Sequence, residues 1–522
     1  SYDEAMELSY FGAKVIYPPS LTPAISGGIP IRVLNTFNPD HPGTLIHRSA
    51  GSGGTLVKGI SSIRDVAVIT VEGSGMIGLK GFSGRLFGVL AGVDVNVVLI
   101  TQASSEHSIS FAVVPDEAER AAEAIRGEFE LEMMRNRIKA PEITRDVSIM
   151  AVVGENMKHA RGFSGRVFTA LGRNGINVMA IAQGSSELNI SVVIRTADLP
   201  RGLNAVHDAL FFPQERHMHL YVAGVGTVGS ELLAQLRDSA ETVAREQQLF
   251  LRVMGIANSR RLLLAAEEGR EEGLELSNWR AALDADGRAA DLETYVEAVT
   301  RAALPNSVFV DNTSSDAVAA AYPALLSKGV SVVTCNKIGN SGSLEAYRGL
   351  RDLARANHAD FLYETNVGAG LPVIRTIENF RLTGDRVHRI EAIVSGTIAY
   401  LFNHYLPGTT FAGIVRTAQD SGYTEPDPRD DLNGLDFRRK MLILAREIGL
   451  EAELEQVGMD PILPQDCLEA PSIEAFYERL AAAEGHFAAM RDEAAEQGKV
   501  LRCIGVCEPV GGAGARMAVE LK

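Results

Sequence analysis

The pentapeptide Gly-Phe-Ser-Gly-Arg occurs twice, at 81–85 and again at 162–166, and the same 81-residue offset relates much of the surrounding sequence. It carries Arg64-Asp65-Val66 onto Arg145-Asp146-Val147, Gln102 onto Gln183, and SSEHSIS (104–110) onto SSELNIS (185–191). A duplication constrains the fold strongly, because one structural solution must serve both copies. Each copy predicts strand, helix, strand, strand, helix. VAVITVEG alternates, GRLFGVLAGV has helical spacing, VNVVLITQ and SISFAVV are β-rich, and EAERAAEAI is helical. One further strand would complete a ferredoxin-like βαββαβ unit. Gln102 and Gln183 each close a predicted strand. A neutral amide offers donors and an acceptor, which suits a zwitterion such as an amino acid, in keeping with a regulatory pair. The same residues equally serve as the wet ends of edge strands.

From residue 216 the character changes. HMHLYVAGVGTVGSELLAQLRD reads as a strand, a glycine-rich turn and a helix. The turn Gly224-Val225-Gly226-Thr227-Val228-Gly229 fits G-x-G-x-x-G in the strand–turn–helix setting that dinucleotide binding requires. The first glycine allows the turn, the second admits a pyrophosphate to the backbone, and the third lets helix and strand pack closely. The next strand ends in Asn258-Ser259-Arg260-Arg261 rather than in an acid, and Arg donors suit a ribose 2′-phosphate, so NADP is accepted and NAD stays open. An ordinary helix-start arginine pair is the plainer reading. SVFVDNTSS (307–315) and GVSVVTCNK (329–337) predict further strands, and the alternation with helices predicts a parallel, doubly wound sheet. Both strands end in polar clusters, Thr313-Ser314 in one and Lys337 in the other, at the edge where such sheets bind ligands. Cys335 has no local histidine to activate it and reads as a packing residue.

In FLYETNVGAGLPVIRTIENF (361–380), Glu364 precedes a glycine-rich turn. If that turn is extended, the carbonyls of Val367, Ala369 and Leu371 point to one side. One carboxylate with several carbonyls suits a hard monovalent cation better than a transition metal. A plain turn–helix junction accounts for the same residues. IEAIVSGTIAYLFN offers a strand that ends in Ser395-Gly396-Thr397 and runs into a helix. Finally, SGYTEPDPRDDLNGLDFRRK (421–440) crowds acids and prolines before a basic run. A helix starting near Asn433 would set Asp436 and Lys440 one turn apart on a shared face, as a surface salt bridge or as part of a site. Leu442, Ile443, Leu444 and Ile448 supply apolar surface for docking that helix.

At 522 residues the chain exceeds one core and predicts several domains. Its net charge of −16 argues against general binding of nucleic acid or membrane surfaces. It contains no 18-residue apolar run and no signal-peptide pattern, and its four cysteines make no disulfide framework. Cys503 and Cys507 form a lone C-x3-C without companion ligands. A reducing cytoplasm is the predicted setting.

The two repeats resemble paired ACT domains, the amino-acid-sensing modules of aspartate kinases. The opening stretch SYDEAMELSYFGAKVIYPPSLTPAISGGIPIRVLNTFNPDHPGTLI resembles the tail of an aspartokinase catalytic domain, with Tyr17-Pro18 where the family has His-Pro. The kinase's lysine- and glycine-rich nucleotide segment is missing, so phosphorylation of aspartate is not expected from this stretch. From about 217 to 508 the chain resembles homoserine dehydrogenase: VAGVGTVG, DNTSS, VVTCNK, ETNVGAGLPVI, VSGT and GYTEPDPRDDLNGLDFRRK follow in the family's order. Departures are Cys335, where the family often has Pro, the run IGNSG after Lys337, and a C-terminus short of the family's last strands.

The joint resemblance, to the bifunctional aspartokinase/homoserine dehydrogenase family, implies two ferredoxin-like modules, a Rossmann-type domain and an α+β catalytic domain. The implied divisions are 1–60, 61–140, 141–215, 216–362, 363–508 and 509–522. It implies reversible, NAD(P)H-dependent reduction of L-aspartate 4-semialdehyde to L-homoserine, feedback by an amino acid such as threonine, and a homodimer or tetramer. Residue by residue, it implies that Lys440 donates the proton and that Lys337 is a second active-site lysine that also faces the cofactor. Glu425 and Asp436 would hold the substrate amine, with Asp431, Tyr423 and Thr397 lining the pocket and Gly422 meeting the cofactor. Glu364 with the Val367, Ala369 and Leu371 carbonyls would be a sodium site. The chemistry agrees, since hydride addition to an aldehyde builds an alkoxide that needs a cation or general acid beside it. Lysine serves as both if burial or a neighbouring cation lowers its pKa. The alternative expectation is an inactive, amino-acid-binding regulatory fragment.

Overall fold

The computed structural model describes residues 1–13, 16–48, 56–76, 80–102, 107–158, 160–184, 186–212, 216–270, 272–510 and 514–521. Parts of SSEHSIS and SSELNIS lie outside them. Two compact units are present: Ser1–Met218 with Glu241–Phe250 and Ala302–Pro305, and His219–Ala240 with Leu251–Arg301 and Asn306–Lys522.

The first unit opens with helices α1 (Tyr2–Tyr10) and α2 (Pro18–Gly27) and a small antiparallel pair, β1 (Ile31–Val33) and β2 (Thr44–Ile46). The repeats then supply β3 (Gly59–Glu72), α3 (Phe82–Gly92), β4 (Leu99–Gln102), β5 (Ser108–Val113) and α4 (Ala118–Glu128) from one copy. The other copy supplies β6 (Glu142–Val153), α5 (Phe163–Arg173), β7 (Ala180–Ala182), β8 (Asn189–Arg195) and α6 (Leu199–Phe211). Their six strands form one antiparallel sheet in the order β4-β5-β3-β6-β8-β7.

β3 and β6 are long because each works in both copies. Gly59–Ile63 pairs with the end of β6, whereas Val66–Thr70 pairs with its beginning. The first half of β3 is therefore the missing fourth strand of the second copy, and the first half of β6 is that of the first. Between the halves the register slips at two bulges, and there sit the repeated Arg-Asp pairs. Asp65 and Asp146 have φ of 54° and 57°, a left-handed conformation that aspartate tolerates better than most residues. The Asp65 amide donates to Ser148 Oγ across the first bulge at 3.3 Å. Alternate residues of β3 then divide between two cores, as a strand's period of two requires. Ala67 and Ile69 face α3 and α4, while Val66 and Val68 join Phe11, Ile149 and Val193 on the other face. The second copy buries Val167, Leu171 and Val206 against β6 and β8 in the same way.

The second unit takes most of β9 (Arg216–Ala223), which leads through the glycine-rich turn to α7 (Thr227–Gln247). The sheet continues with β10 (Leu249–Ala257), β11 (Arg261–Leu264), β12 (Arg288–Ala289), β13 (Ser307–Asp311), β14 (Ser331–Thr334) and β15 (Phe361–Leu362), in the order β12-β11-β10-β9-β13-β14-β15. β9, β13, β14 and β15 are parallel, but β11 runs antiparallel to both β10 and β12. The predicted parallel core is present, and the antiparallel strands β11 and β12 extend it at one edge. Asn258 Oδ1 accepts the amides of Arg260 and Arg261 at 2.7 Å each, and this turn reverses the chain into β11 instead of starting a helix.

The rest of the unit holds α8 (Leu344–Ala356), α9 (Val373–Leu382), α10 (Gly396–His404), α11 (Pro428–Leu432) and α12 (Leu435–Glu447). It also holds a sheet in the order β16 (Ile390–Ala392), β18 (Cys503–Val510), β19 (Gly514–Leu521), β17 (Gly458–Met459). α12 lies against that sheet. Gly505 permits it, because a Cβ there would come within 2.3 Å of Met441 Sδ and 2.9 Å of Phe437. Met441, Leu442, Ile443, Leu444 and Ala445 are all buried, so the helix is apolar on every side along this turn, as an interior helix must be. Among the described residues no helix is long and apolar enough to cross a membrane.

Candidate functional site

β9 and β13 lie side by side and parallel, so their carboxyl ends adjoin, where the chain order of the sheet reverses. The Gly224–Gly229 turn stands there. Gly224 has φ of 86°, and a Cβ on it would meet Thr313 Cγ2 at 2.8 Å. A Cβ on Gly229 would lie 1.9 Å from the Gly224 carbonyl oxygen, so this position must be bare for α7 to reach the turn. Gly226, by contrast, faces open space with no atom within 4 Å of where a Cβ would be. Val225 is buried beneath it, while Thr227 and Val228 are exposed on the first turn of α7. Beside Gly229 the side-chain nitrogen of Asn312, Nδ2, is buried without a hydrogen-bond partner. Room at the second glycine, at the start of α7, is what a dinucleotide's phosphates need. Arg260 is exposed at the end of β10, whereas the Arg261 guanidinium is drawn to the Gly287 carbonyl at 2.5 Å.

Below the turn is a polar network that sequence inspection missed. Buried Asp311 accepts from Tyr322 Oη at 2.5 Å, from Asn336 Nδ2 at 3.1 Å and from the Thr313 amide at 2.7 Å. It ties the Thr313-Ser314 loop to the loop that carries Lys337. The Cys335 amide joins it through the Asp311 carbonyl, and burial followed by the charge of Asp311 pushes the Cys335 thiol up, away from the thiolate a nucleophile needs. Lys337 stands three residues past the end of β14 and opens the short helical turn Ile338–Ser341.

The lysines meet on Asp436. Its carboxylate lies 2.8 Å from Lys440 Nζ, one turn along α12, and 3.2 Å from Lys337 Nζ. Lys440 also donates to the Val394 carbonyl at 2.8 Å, just before the Ser395-Gly396-Thr397 turn. Burial pushes the Asp436 carboxyl up, but the two ammonium groups outweigh it and hold the group below the usual carboxylate range. A second cluster adjoins this one. Thr397 Oγ1 donates to the Tyr423 carbonyl at 2.7 Å and approaches Asp431 Oδ1 at 3.2 Å, while Asp431 Oδ2 accepts the Glu425 amide at 2.8 Å. Burial raises the Asp431 carboxyl, and the charges of Asp436 and Asp430 add to the rise. Gly422, at φ of 73°, turns the chain into this cluster, and the exposed Tyr423 ring lies 5.0 Å from that of Tyr400. The Glu425 side chain is exposed at the rim. Asp427 behaves differently: it caps α11 and grips Arg429, which in turn donates to the Ala470 carbonyl.

The Glu364 turn is not extended. Gly368 and Ala369 have φ of 83° and 52°, and the Leu371 carbonyl accepts the Val373 amide at 2.8 Å. The Glu364 oxygens accept the amides of Ile374 and Arg375 at 2.9 and 3.0 Å, at the start of α9. Each oxygen and the Val367 and Ala369 carbonyls keep further acceptor capacity. In the first unit, Thr101 donates across to the Ile181 carbonyl at 2.8 Å, so the two edge strands of the sheet meet. Beside them is a cavity of about 320 Å³ lined by Thr101, Gln102, Ser108, Ser110, Met179 and Ile181. Gln102 thus reaches a concave site, while Gln183 follows β7 on the exposed surface and is not among its lining residues.

Comparison with known proteins agrees with this division of labour. The family model for the ACT domain matches residues 69–129 and 150–210, that for the homoserine dehydrogenase NAD-binding domain matches 224–364, and that for homoserine dehydrogenase matches 372–522. The chain is therefore built of paired ACT domains, a Rossmann-type NAD-binding domain and a homoserine dehydrogenase catalytic domain. Its whole length is 41% identical to a chloroplastic bifunctional aspartokinase/homoserine dehydrogenase of Arabidopsis thaliana, of which it spans 57%. It is 40% identical over 97% of its length to the bifunctional enzyme of Haemophilus influenzae, of which it spans 61%. A crystal structure of a Candida auris protein of unknown function, 30% identical, superposes with a TM-score of 0.53 over 59% of this chain and 84% of the other. Homoserine dehydrogenase of Schizosaccharomyces pombe is 35% identical over 55% of this chain and 77% of its own length. The chain belongs to the homoserine dehydrogenase family.

Proposed function

We propose that the chain catalyses reversible, NAD(P)H-dependent interconversion of L-aspartate 4-semialdehyde and L-homoserine under amino-acid feedback. The observation that carries this reading is Asp436 held between Lys440 and Lys337, at the mouth of the Thr397–Asp431 cluster. A reduced nicotinamide, when bound, supplies the hydride. Gly224–Gly229 would cradle its phosphates, with Thr313, Ser314, Lys337 and Gly422 beside it. Asn258 shapes the turn that presents Arg260, with Arg261 behind, to a 2′-phosphate, so NADP is the proposed form and NAD is accepted. Lys440 is the group that gives its proton to the aldehyde oxygen as the hydroxyl forms, and Lys337 stabilises the charge that develops there. Asp436 and Glu425 would hold the substrate ammonium, displacing lysine from Asp436, while Asp431, Thr397 and Tyr423 shape the pocket. Glu364 with the carbonyls of Val367, Ala369 and Leu371 is the proposed sodium site.

We place the regulatory amino acid, threonine, at Gln102 and, by the repeat, at Gln183, in a homodimer or tetramer. The divisions 1–60, 61–140, 141–215, 216–362, 363–508 and 509–522 are the proposed domain limits. Four unpaired cysteines suit a reducing cytoplasm. The test is Lys440→Met, followed by NADPH oxidation with semialdehyde added. The maximal rate should fall by about 10²-fold or more, the weight of a general acid, with KM little changed. A variant as fast as its parent removes Lys440 from the reaction.

A further inference from the structure

Lys337 reaches Asp436, yet the segment that carries it is a loop and one short turn, Ile338–Ser341, which alone could not hold an ammonium group in place. What holds it lies on the far end of α12. Arg446 is fully buried there, and its Nη1 donates to the Asn340 carbonyl at 2.9 Å. The other guanidinium nitrogens donate to the Ala452 carbonyl at 3.1 and 2.8 Å and to Glu453 at 3.1 Å. Asn340 is a node. Its amide donates to the Lys337 carbonyl at 3.0 Å, its side chain donates to Asn366 Oδ1 at 2.9 Å, and it accepts from Arg351 at 3.2 Å. Asn366 in turn donates to the Thr334 carbonyl at 3.0 Å, so the segment from Thr334 to Asn340 is pinned at both ends. Glu447, next to Arg446, accepts from Tyr347, Tyr363 and Arg351 and locks α8 to α12.

One helix thus presents Asp436 in its first turn and Lys440 a turn later, and at its far end grips the segment that delivers Lys337. We propose that Arg446 is a positioning residue for Lys337, acting through the Asn340 carbonyl. This rests on the dehydrogenase reading. Lysine at 446 keeps the charge but lacks the planar fork that reaches Asn340, Ala452 and Glu453 together.

In the full chain, Arg446→Lys should lower the maximal rate by about tenfold to 10²-fold, the range expected when a reacting group is misplaced by an ångström. In a Lys337→Met background the same change should cost less than about twofold, because the group it positions is gone. Equal losses in both backgrounds, or no loss in either, overturn the proposal. Mass-spectrometric measurement of lysine acylation gives a readout that needs no activity: Arg446→Lys should raise labelling of Lys337 several-fold and leave that of Lys499 unchanged. If the parent chain shows no semialdehyde-dependent oxidation of NADPH, the reaction assignment fails, and the labelling alone decides whether Arg446 positions Lys337. Should Arg446→Lys not fold, Glu453→Ala, which removes one of Arg446's partners near the surface, should shift labelling the same way but less. Unchanged labelling in Glu453→Ala would then overturn it.

Discussion

Replacing Gly226 and Gly229 with alanine, one at a time, separates a glycine that serves a ligand from one that serves the fold. A Cβ on Gly226 meets nothing within 4 Å. The substitution should therefore leave stability within about 0.5 kcal/mol of the parent. The added methyl nevertheless occupies the space through which a pyrophosphate would approach the backbone. Loss of that approach should weaken NADPH by about tenfold or more, or about 1.4 kcal/mol. Gly229 behaves in the opposite way. Its Cβ would fall 1.9 Å from the Gly224 oxygen, whereas real Cβ atoms essentially never come within 3.0 Å of such an atom. α7 or the turn must retreat by about 1 Å, an overpacking that costs about 1–3 kcal/mol. At about 2–4 °C per kcal/mol, melting should drop by several degrees, and dinucleotide binding should be lost with the distorted turn. NADPH fluorescence titration and thermal unfolding, run on both variants, give the four numbers needed. Gly226→Ala binding NADPH as well as the parent, or Gly229→Ala melting with it, would refute the assignment of space and contact at this turn.

Three further outcomes follow from the geometry. Because its carboxyl is held below the ordinary value of 3.8, Asp436 adds stability that is fully present above that value and is lost as pH falls through its lower folded value. Asp436→Asn should flatten the acid-unfolding curve below pH about 4 and raise the semialdehyde KM at neutral pH; an unchanged KM would count against amine binding. Glu364→Gln trades two charged acceptors at the start of α9 for one neutral one, costing about 1–2 kcal/mol in chemical denaturation. A variant as stable as the parent would contradict the two amide contacts. At the bulges, Asp65→Val and Asp146→Val should each cost about 1–2 kcal/mol, whereas glycine at either position should be tolerated. Equal melting of the valine and glycine variants would show that the left-handed conformation is not maintained.

What the chain discloses before folding is local. The glycine-rich turn, the i,i+4 pair Asp436–Lys440 and the repeat are all patterns within a few residues or at one fixed offset, and each is found where its spacing implies. The antiparallel extension β11–β12 escaped because an Asx turn at Asn258 resembles a helix start until its hydrogen bonds are seen. The Asp311 network and the grip of Arg446 on Asn340 escaped for another reason. They join residues up to 106 positions apart, and nothing local to Arg446, at the end of an apolar run and followed by Glu447, shows which distant carbonyl its guanidinium will reach. The repeat pairs Gln102 with Gln183, and among the described residues Gln102 lines the cavity beside the meeting edge strands, a neighbourhood that the fixed offset alone does not disclose.

The exchange of strand halves between the two repeats has a consequence for how this part of the molecule can be taken apart. A cut placed between Lys139 and Glu142, where the duplication suggests a seam, would leave each fragment with a long, hydrogen-bonding margin and no neighbour to cover it. Such margins invite self-association, so fragments made this way should clump or pair with each other rather than stay separate. The same sharing means that backbone amides of β3 and β6 should become protected against deuterium together, whichever copy takes up a ligand. For this pair of modules the duplication doubled the sequence, but neither copy completes its sheet without the other.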